Sequence, residues 1–176
     1  DGALPPDEVS GGPVAAADVD RDGDLDLFVG GRVVPGQYPI AARSRLLTNE
    51  GGRFIDASDS LAPTLRSLGL VTGATFADVD GDRDLDLLVT ALGGPNSLFL
   101  NDGAGVFTVR TRESGLESEH GSHTMALADV DGDGDLDLAV GNDGANRVYL
   151  DNDGTLEPSA SWSSTEWDDT VSVAWG

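Results

Sequence analysis

One acidic pattern of nine residues, occurring three times, limits what this chain can become. Asp18 to Asp26 reads DVDRDGDLD, Asp78 to Asp86 reads DVDGDRDLD, and Asp129 to Asp137 reads DVDGDGDLD. The starts lie 60 and then 51 residues apart, intervals suited to one supersecondary unit of a repeat protein. Small and apolar residues precede each block (PVAAA, GATFA, TMALA), and an alternating apolar run follows it (LDLFVGG, LDLLVTA, LDLAVGN). A second echo comes later: SRLLTNEGGRF from Ser44, NSLFLNDGAGVF from Asn96 and NRVYLDNDGTLE from Asn146. The chain is three copies of one unit.

Each unit reads as short strands. Leu25, Leu27 and Val29 share one side of a pleat, as do Leu85, Leu87 and Val89, and Leu136, Leu138 and Val140, the period of two expected of a strand. The turns beginning at Asn49, Asn101 and Asn152 combine Asn and Gly, which tolerate positive φ, between apolar segments, and so mark hairpins. A unit is therefore four strands: one ending at the acidic block, one leaving it, one ending at the Asn-Gly turn and one leaving that turn. The fold class is all-β, with repeat 1 at about 12–60, repeat 2 at about 70–114 and repeat 3 at about 121–160. An insertion in the first unit, roughly Arg32 to Arg43, contains Pro35, Gly36 and Pro39 and reads as a surface loop.

Composition removes several classes of function. With 32 Asp+Glu against 10 Lys+Arg the 176-residue chain carries a formal charge of -22, which repels nucleic acid and anionic lipid. All the basic residues are Arg, so Schiff-base and P-loop chemistry are excluded. There is no Cys, which removes disulfides, zinc-cysteine sites and thiol nucleophiles. No apolar run approaches the ~20 residues that span a bilayer. The chain begins at Asp1 with a single Met, Met125, and reads as a processed or excised product. The 39% apolar content is set in repeated blocks, which argues against disorder despite the charge.

The acidic blocks carry the chemistry. Calcium is a hard cation that takes six to eight oxygens at ~2.3 to 2.6 Å, and a tight loop with alternate side chains turned inward supplies them from one short segment. Side-chain oxygens are assigned to Asp18, Asp20, Asp22 and Asp26, with the backbone carbonyl of Asp24. Asp78, Asp80, Asp82 and Asp86 with the carbonyl of Asp84 form the second set, and Asp129, Asp131, Asp133 and Asp137 with the carbonyl of Asp135 the third. Three Ca2+ ions are expected; magnesium, which keeps its waters in an octahedron, fits less well. An EF-hand would need a bidentate Glu at position 12, where the chain has Val29, Val89 and Val140.

What remains resembles the calcium loop of FG-GAP (VCBS-type) repeats, the blade units of integrin α-subunit β-propellers. That resemblance implies three consecutive four-stranded propeller-type blades with calcium-rigidified loops. The Pro-Gly-Gln-Tyr-Pro loop from Pro35, followed by SRLLTNEGGRF, also looks like the branch of that family that includes cartilage acidic protein, which implies an extracellular or cell-surface location. The motif departs at position 6, where Gly23 and Gly134 are matched by Arg83. A non-Gly residue at positive φ costs on the order of 1 kcal/mol, so the second site is expected to bind more weakly.

Other residues invite chemistry less strongly. Glu119, His120 and His123 could form a metal or general-base cluster, but on an extended segment they do not converge. Trp162, Trp167 and Trp175 suit either a sugar-stacking surface or packing between neighbouring strands, and packing is the preferred reading. Ser159, Ser161, Ser163, Ser164 and Thr165 form a hydroxyl-rich stretch suited to O-glycosylation, and no Asn-x-Ser/Thr sequon exists. No catalytic constellation emerges, so the chain is not expected to be an enzyme. A structural or adhesion module is favoured, with a carbohydrate-binding propeller segment as the alternative. Propellers close with roughly four to eight blades, so three do not close. Asp169 to Gly176, DTVSVAWG, matches the lead-in strand of a fourth unit. The expected partners are other copies, in a head-to-tail oligomer or filament, or the remainder of a longer propeller; a glycan is a further candidate, while nucleic acid and membrane insertion are not.

Overall fold

The computed structural model describes residues 10–110 and 121–175. Its three four-stranded antiparallel sheets follow the three sequence units in order. The first contains β1 (Ser10–Ala17), β2 (Asp26–Val33), β3 (Arg45–Asn49) and β4 (Phe54–Asp56), hydrogen-bonded in chain order. The second repeats the meander with β5 (Leu70–Ala77), β6 (Asp86–Leu92), β7 (Ser97–Asn101) and β8 (Phe107–Val109). The third has β9 (Ser122–Ala128), β10 (Asp137–Gly144), β11 (Arg147–Tyr149) and β12 (Trp162–Ser163). These sheets are propeller-type blades, and they do not close into a ring.

In the third blade the outer strand is displaced. Where β4 and β8 leave their turns directly, here only an isolated Asp151–Leu156 bridge forms, and β12 pairs with Arg147 and Val148 after the chain passes Pro158. Proline has no N–H for a ladder. The two ladder halves are held instead by the Glu157 amide on the Leu150 carbonyl (2.8 Å) and the Ser161 amide on the Val148 carbonyl (2.9 Å).

Strand alternation decides how the blades stack. In β6, Leu87 and Val89 enter the core between blades one and two, beside Ala17, Val19, Phe28, Leu46, Phe99 and Phe107. Leu88, between them, enters the core with blade three, beside Val79, Leu98, Leu138, Val140, Tyr149 and Leu156. Successive residues thus serve opposite faces, as the pleat requires, and a one-residue slip would exchange them. Each fully buried Phe or Leu stabilises by ~1.5 to 3 kcal/mol.

A helical connection between the first two blades lies outside the strand pattern read from sequence. The short helix α1 (Ser58–Leu61) and a following 3₁₀ turn (Pro63–Ser67) place Leu61, Ala62, Leu65 and Leu68 on the first inter-blade core. The spacing of Leu61, Leu65 and Leu68 is helical. Asp56 sets the entry, accepting bonds from the Ser58 amide (3.1 Å) and hydroxyl (2.6 Å). No helix among the described residues is long and apolar enough to cross a membrane.

Beyond the third blade, β13 (Asp168–Asp169) pairs with Asp143 and Gly144 at the far end of β10. The Thr170 amide then bonds to the Asn142 carbonyl (3.1 Å), and the Thr170 side chain rests on Gly141. Val71, on the first strand of blade two, rests on Gly30 in the same manner. Thr170 thus stands over Gly141 as Val71 stands over Gly30, although 170–175 forms no ladder and Val171 and Trp175 are exposed.

Adjacent blades also meet through their outer turns. Gly105 (φ 77°) packs on Val19, Asp20 and Leu61, and a Cβ at Gly154 (φ 77°) would overlap the backbone of Asp80. The corresponding Gly52 (φ 93°) has open space around it. We expect Gly154→Ala to cost ~2 to 4 kcal/mol in urea unfolding and Gly52→Ala ~1 kcal/mol, since only the former adds a clash to the conformational strain. Equal losses would contradict this account of the interface.

Candidate metal sites

Every acidic block becomes a loop joining the first two strands of its blade, and backbone amides aim the carboxylates. The ninth residue, Asp26, Asp86 or Asp137, is completely buried. One of its oxygens accepts the amide of the second residue (Val19, Val79 and Val130; 2.9, 2.9 and 2.7 Å). The other accepts an amide at the end of the third strand (Asn49, Asn101 and Asp151; 2.8, 2.9 and 2.8 Å). This aspartate ties the loop to the hairpin turn beside it.

The remaining carboxylates form a short ladder of turns. The first aspartate accepts the amide of the sixth residue: Asp18 from Gly23 (3.0 Å), Asp78 from Arg83 (3.1 Å) and Asp129 from Gly134 (3.1 Å). The third accepts from the fifth, and the fifth from the seventh, in all three loops. One carboxylate oxygen from each of Asp18, Asp20 and Asp22 lies within 4.8 Å of the others. The same holds for Asp78, Asp80 and Asp86, and for Asp129, Asp131 and Asp137. A separation up to twice a ~2.3 to 2.6 Å calcium–oxygen distance, with only hard oxygen donors, fits a calcium ion. The Asp78 Oδ1 atom is buried without a hydrogen-bond partner, as an inward-facing ligand atom would be. The three acidic clusters can hold metal ions.

Not every assigned residue joins these tight groups. Asp26 lies outside the first, Asp82 outside the second and Asp133 outside the third. The seventh-position carboxylates serve another end: Asp24 accepts the Gly51 amide (3.0 Å) and Asp135 the Asp153 amide (2.8 Å), binding loop to turn. Asp84 instead pairs with Arg21 from the first loop. Of the sequence candidates elsewhere, Glu119 and His120 lie outside the described residues, and His123 in β9 stands 3.9 Å from Asp169. Packing between strands does not account for the tryptophans, because Trp162, Trp167 and Trp175 are all exposed.

The backbone bears out the sixth-position expectation and adds a second one. Gly23, Arg83 and Gly134 have φ of 94°, 76° and 104°. The fourth position is left-handed as well, with Arg21 at 64°, Gly81 at 76° and Gly132 at 84°. Loops one and two therefore each hold one arginine at a cost of ~1 kcal/mol, while loop three has glycine at both places. Strain alone does not single out the second loop.

Sequence reasoning missed the role of Asn49, Asn101 and Asp151 as anchors, although the repeated turn contained the signal. Asn49 donates through Nδ2 to the Leu25 carbonyl (3.1 Å), and Asn101 donates to the Leu85 (3.3 Å) and Val19 (2.8 Å) carbonyls. Asp151 has no such donor when ionised, and both its oxygens are buried without a well-formed hydrogen bond. Burial pushes its pKa up to about 6, beyond what the nearby Gly154 and Thr155 amides offset, and Asp135 and Asp137 add repulsion. Burial likewise raises Asp86 to about 6, against the Asn101 and Val79 amides and with repulsion from Asp80 and Asp82. Asp26 and Asp80 are raised for the same first reason, with their neighbouring aspartates contributing. Asp86 and Asp151 thus hold their protons more tightly than a free aspartate does.

Comparison with known proteins agrees with this geometry. The sequence model of the FG-GAP-like repeat matches residues 78–140 and 129–176. Mouse (Mus musculus) cartilage acidic protein 1 is 33% identical over 86 residues, 48% of this chain and 12% of that protein. The human (Homo sapiens) protein of the same name is 29% identical over 113 residues, 63% of this chain and 14% of that protein. This chain thus spans only a small part of those relatives. Among solved structures, an Agrocybe aegerita lectin that specifically recognises non-reducing terminal N-acetylglucosamine aligns over 83% of this chain and 36% of its own. Its TM-score is 0.50 at 20% identity, a likeness of fold.

Proton affinity gives the sites a pH signature. The metal-free fold holds protons on Asp86 and Asp151 more tightly than an unfolded chain, whose value is near 3.8. That contribution to stability is complete below 3.8 and is lost as pH rises through about 6. Chelated protein should therefore melt higher at pH 5 than at pH 7.5, with the order reversed under saturating calcium, which replaces the protons. Asp151→Asn supplies the missing donor and should stabilise the chelated form at pH 7.5 by about 1 kcal/mol. A chelated melt that falls on acidification to pH 5 would refute the sign.

Proposed function

Since this chain belongs to the FG-GAP-like repeat family, we propose that it is an extracellular, calcium-binding structural module that presents blade surfaces for adhesion or assembly. The observation that carries the reading is the threefold recurrence of a carboxylate cage that shares its first and third positions in every loop and is aimed by the same amides, with the fifth position completing it in loop one and the ninth in loops two and three. Asp18, Asp20 and Asp22 would hold the first ion with Asp26 behind them; Asp78, Asp80, Asp82 and Asp86 the second; Asp129, Asp131, Asp133 and Asp137 the third. The carbonyls of Asp24, Asp84 and Asp135 complete the assignment. Each ion supplies two positive charges against the mutual repulsion of its loop. The likeness to cartilage acidic proteins supports an extracellular setting.

The module acts by binding and stiffness; none of its residues is assigned a catalytic role. Its partners in this reading are other copies, head to tail, or the remaining blades of a longer propeller. The surface for them would include the tail from Thr170, whose contact on Gly141 parallels that of Val71 on Gly30, with exposed Val171 and Trp175 available for burial. Exposed Trp162 and Trp167, together with the lectin fold neighbour, favour carbohydrate binding as the second reading. Glycan-array binding abolished by Trp162→Ala would support it, and calcium-dependent self-association without glycan would support the first.

Calcium should act on folding directly. At a hundredfold excess over Kd each site adds about 2.7 kcal/mol, so three sites should raise the melting midpoint by on the order of 15 °C or more. Thermal melts with excess calcium and with chelator measure this. An unchanged midpoint would rule out structural metal sites.

A further inference from the structure

The first two loops are joined by a side chain, and the third has no counterpart. Arg21 occupies the fourth position of loop one, where its backbone is left-handed (φ 64°). Its guanidinium reaches loop two, 62 residues away in sequence, where Nη2 donates to the Arg83 carbonyl (2.8 Å) and meets the Asp84 carboxylate. Asp84 is almost fully buried. In the other loops the seventh carboxylate is fixed by an amide of its own blade, that of Gly51 for Asp24 and that of Asp153 for Asp135. At Asp84 the neighbouring blade's arginine takes that part. Loop three has glycine, Gly132, at the fourth position, and so cannot reach onward in this way.

We infer that Arg21 is a positioning residue for the second metal site, coupling it to the first. The inference rests on the calcium reading above. Arg21 fixes residues 83 and 84 through a charge-assisted pair and a main-chain bond, and residue 84 is the one whose carbonyl is assigned to the second ion. An ion in loop one orders the Arg21 backbone, because the Asp22 and Gly23 amides that follow it bond to Asp18 and Asp20. An ordered Arg21 then holds loop two near the shape that its own ion requires. By linkage the second ion favours the first to the same degree. A guanidinium in this role also offsets repulsion between the two empty loops without occupying either centre.

The test follows site occupancy in the intact chain by amide NMR in buffers of graded free calcium, with Gly23, Gly81 and Gly134 reporting on loops one, two and three. Arg21→Gly relieves the left-handed backbone of loop one while removing the reach to loop two. The Gly81 midpoint should move to about tenfold higher free calcium, the effect of losing one charge-assisted contact; the Gly23 midpoint should move by much less, because relief of the left-handed backbone offsets the lost coupling, and the Gly134 midpoint should stay in place. Asp84→Asn, which keeps the carbonyl and loses the charge, should move the Gly81 midpoint in the same direction, and the double variant should add little to either. A Gly81 midpoint that stays in place, one that moves only together with both others, or fully additive single effects would overturn the coupling. If no loop amide of the unaltered chain responds to calcium, the metal reading fails and the coupling with it, an outcome distinct from a response that Arg21→Gly leaves unchanged.

Discussion

The constraint on which the rest depends is the concentration of negative charge in three tight loops. Five aspartates within nine residues repel one another, and burial raises the cost of charging Asp26 and Asp86. The chain answers with backbone amides. Asp26, Asp86 and Asp137 each take two, one from inside the loop and one from the hairpin turn of the same blade. These bonds hold the loop open around a centre and make the turn's position part of the site. Amides satisfy the carboxylates' geometry, but they carry no net charge, so a cation is the natural completion of the arrangement.

The same turns join the blades. Asn101 bonds across to the Val19 carbonyl, Gly105 packs on Val19 and Asp20, and Gly154 closes on Asp80. Loop, turn and inter-blade core are therefore one mechanical unit, and each carboxylate cluster lies at its edge. Ordering a loop orders the floor on which the next blade's turn rests. This is how a local ion could stiffen an extended array, whose stability is otherwise a sum of neighbour-to-neighbour terms.

Much of this was legible in the sequence because the repeat supplied its own controls. Three aligned copies fixed the strand order of blades one and two, the hairpin turns and the left-handed sixth position at Arg83. Where the copies diverge, pattern reasoning lost its footing. The helical connection from Ser58 occurs once, so no echo announced it, although Leu61, Leu65 and Leu68 had helical spacing. The displaced β12 follows from Pro158 and its neighbours, which have no equivalent in the other units. Leu25, grouped with Leu27 and Val29 by alternation, stands in the loop before β2 and is exposed. The reach of Arg21 is a long-range contact, which spacing within one loop cannot reveal.

Identical ligand patterns nevertheless do not make identical sites, and the difference lies in packing. The second residue of every loop is valine, yet Val19 is 1% exposed and Val79 3%, whereas Val130 is 41% exposed. The first two valines lie in the cores between adjacent blades, and Val130 faces outward from the third blade. Its amide is the one that holds Asp137. Water can therefore compete for the interior bond of loop three, while in loops one and two the neighbouring blade excludes it. Loop three in compensation has glycine at both left-handed positions. Backbone strain and burial thus act in opposite directions across the three repeats: the loops that carry arginine at positive φ have a neighbouring blade over their second residue, and the loop without that cover carries no such strain.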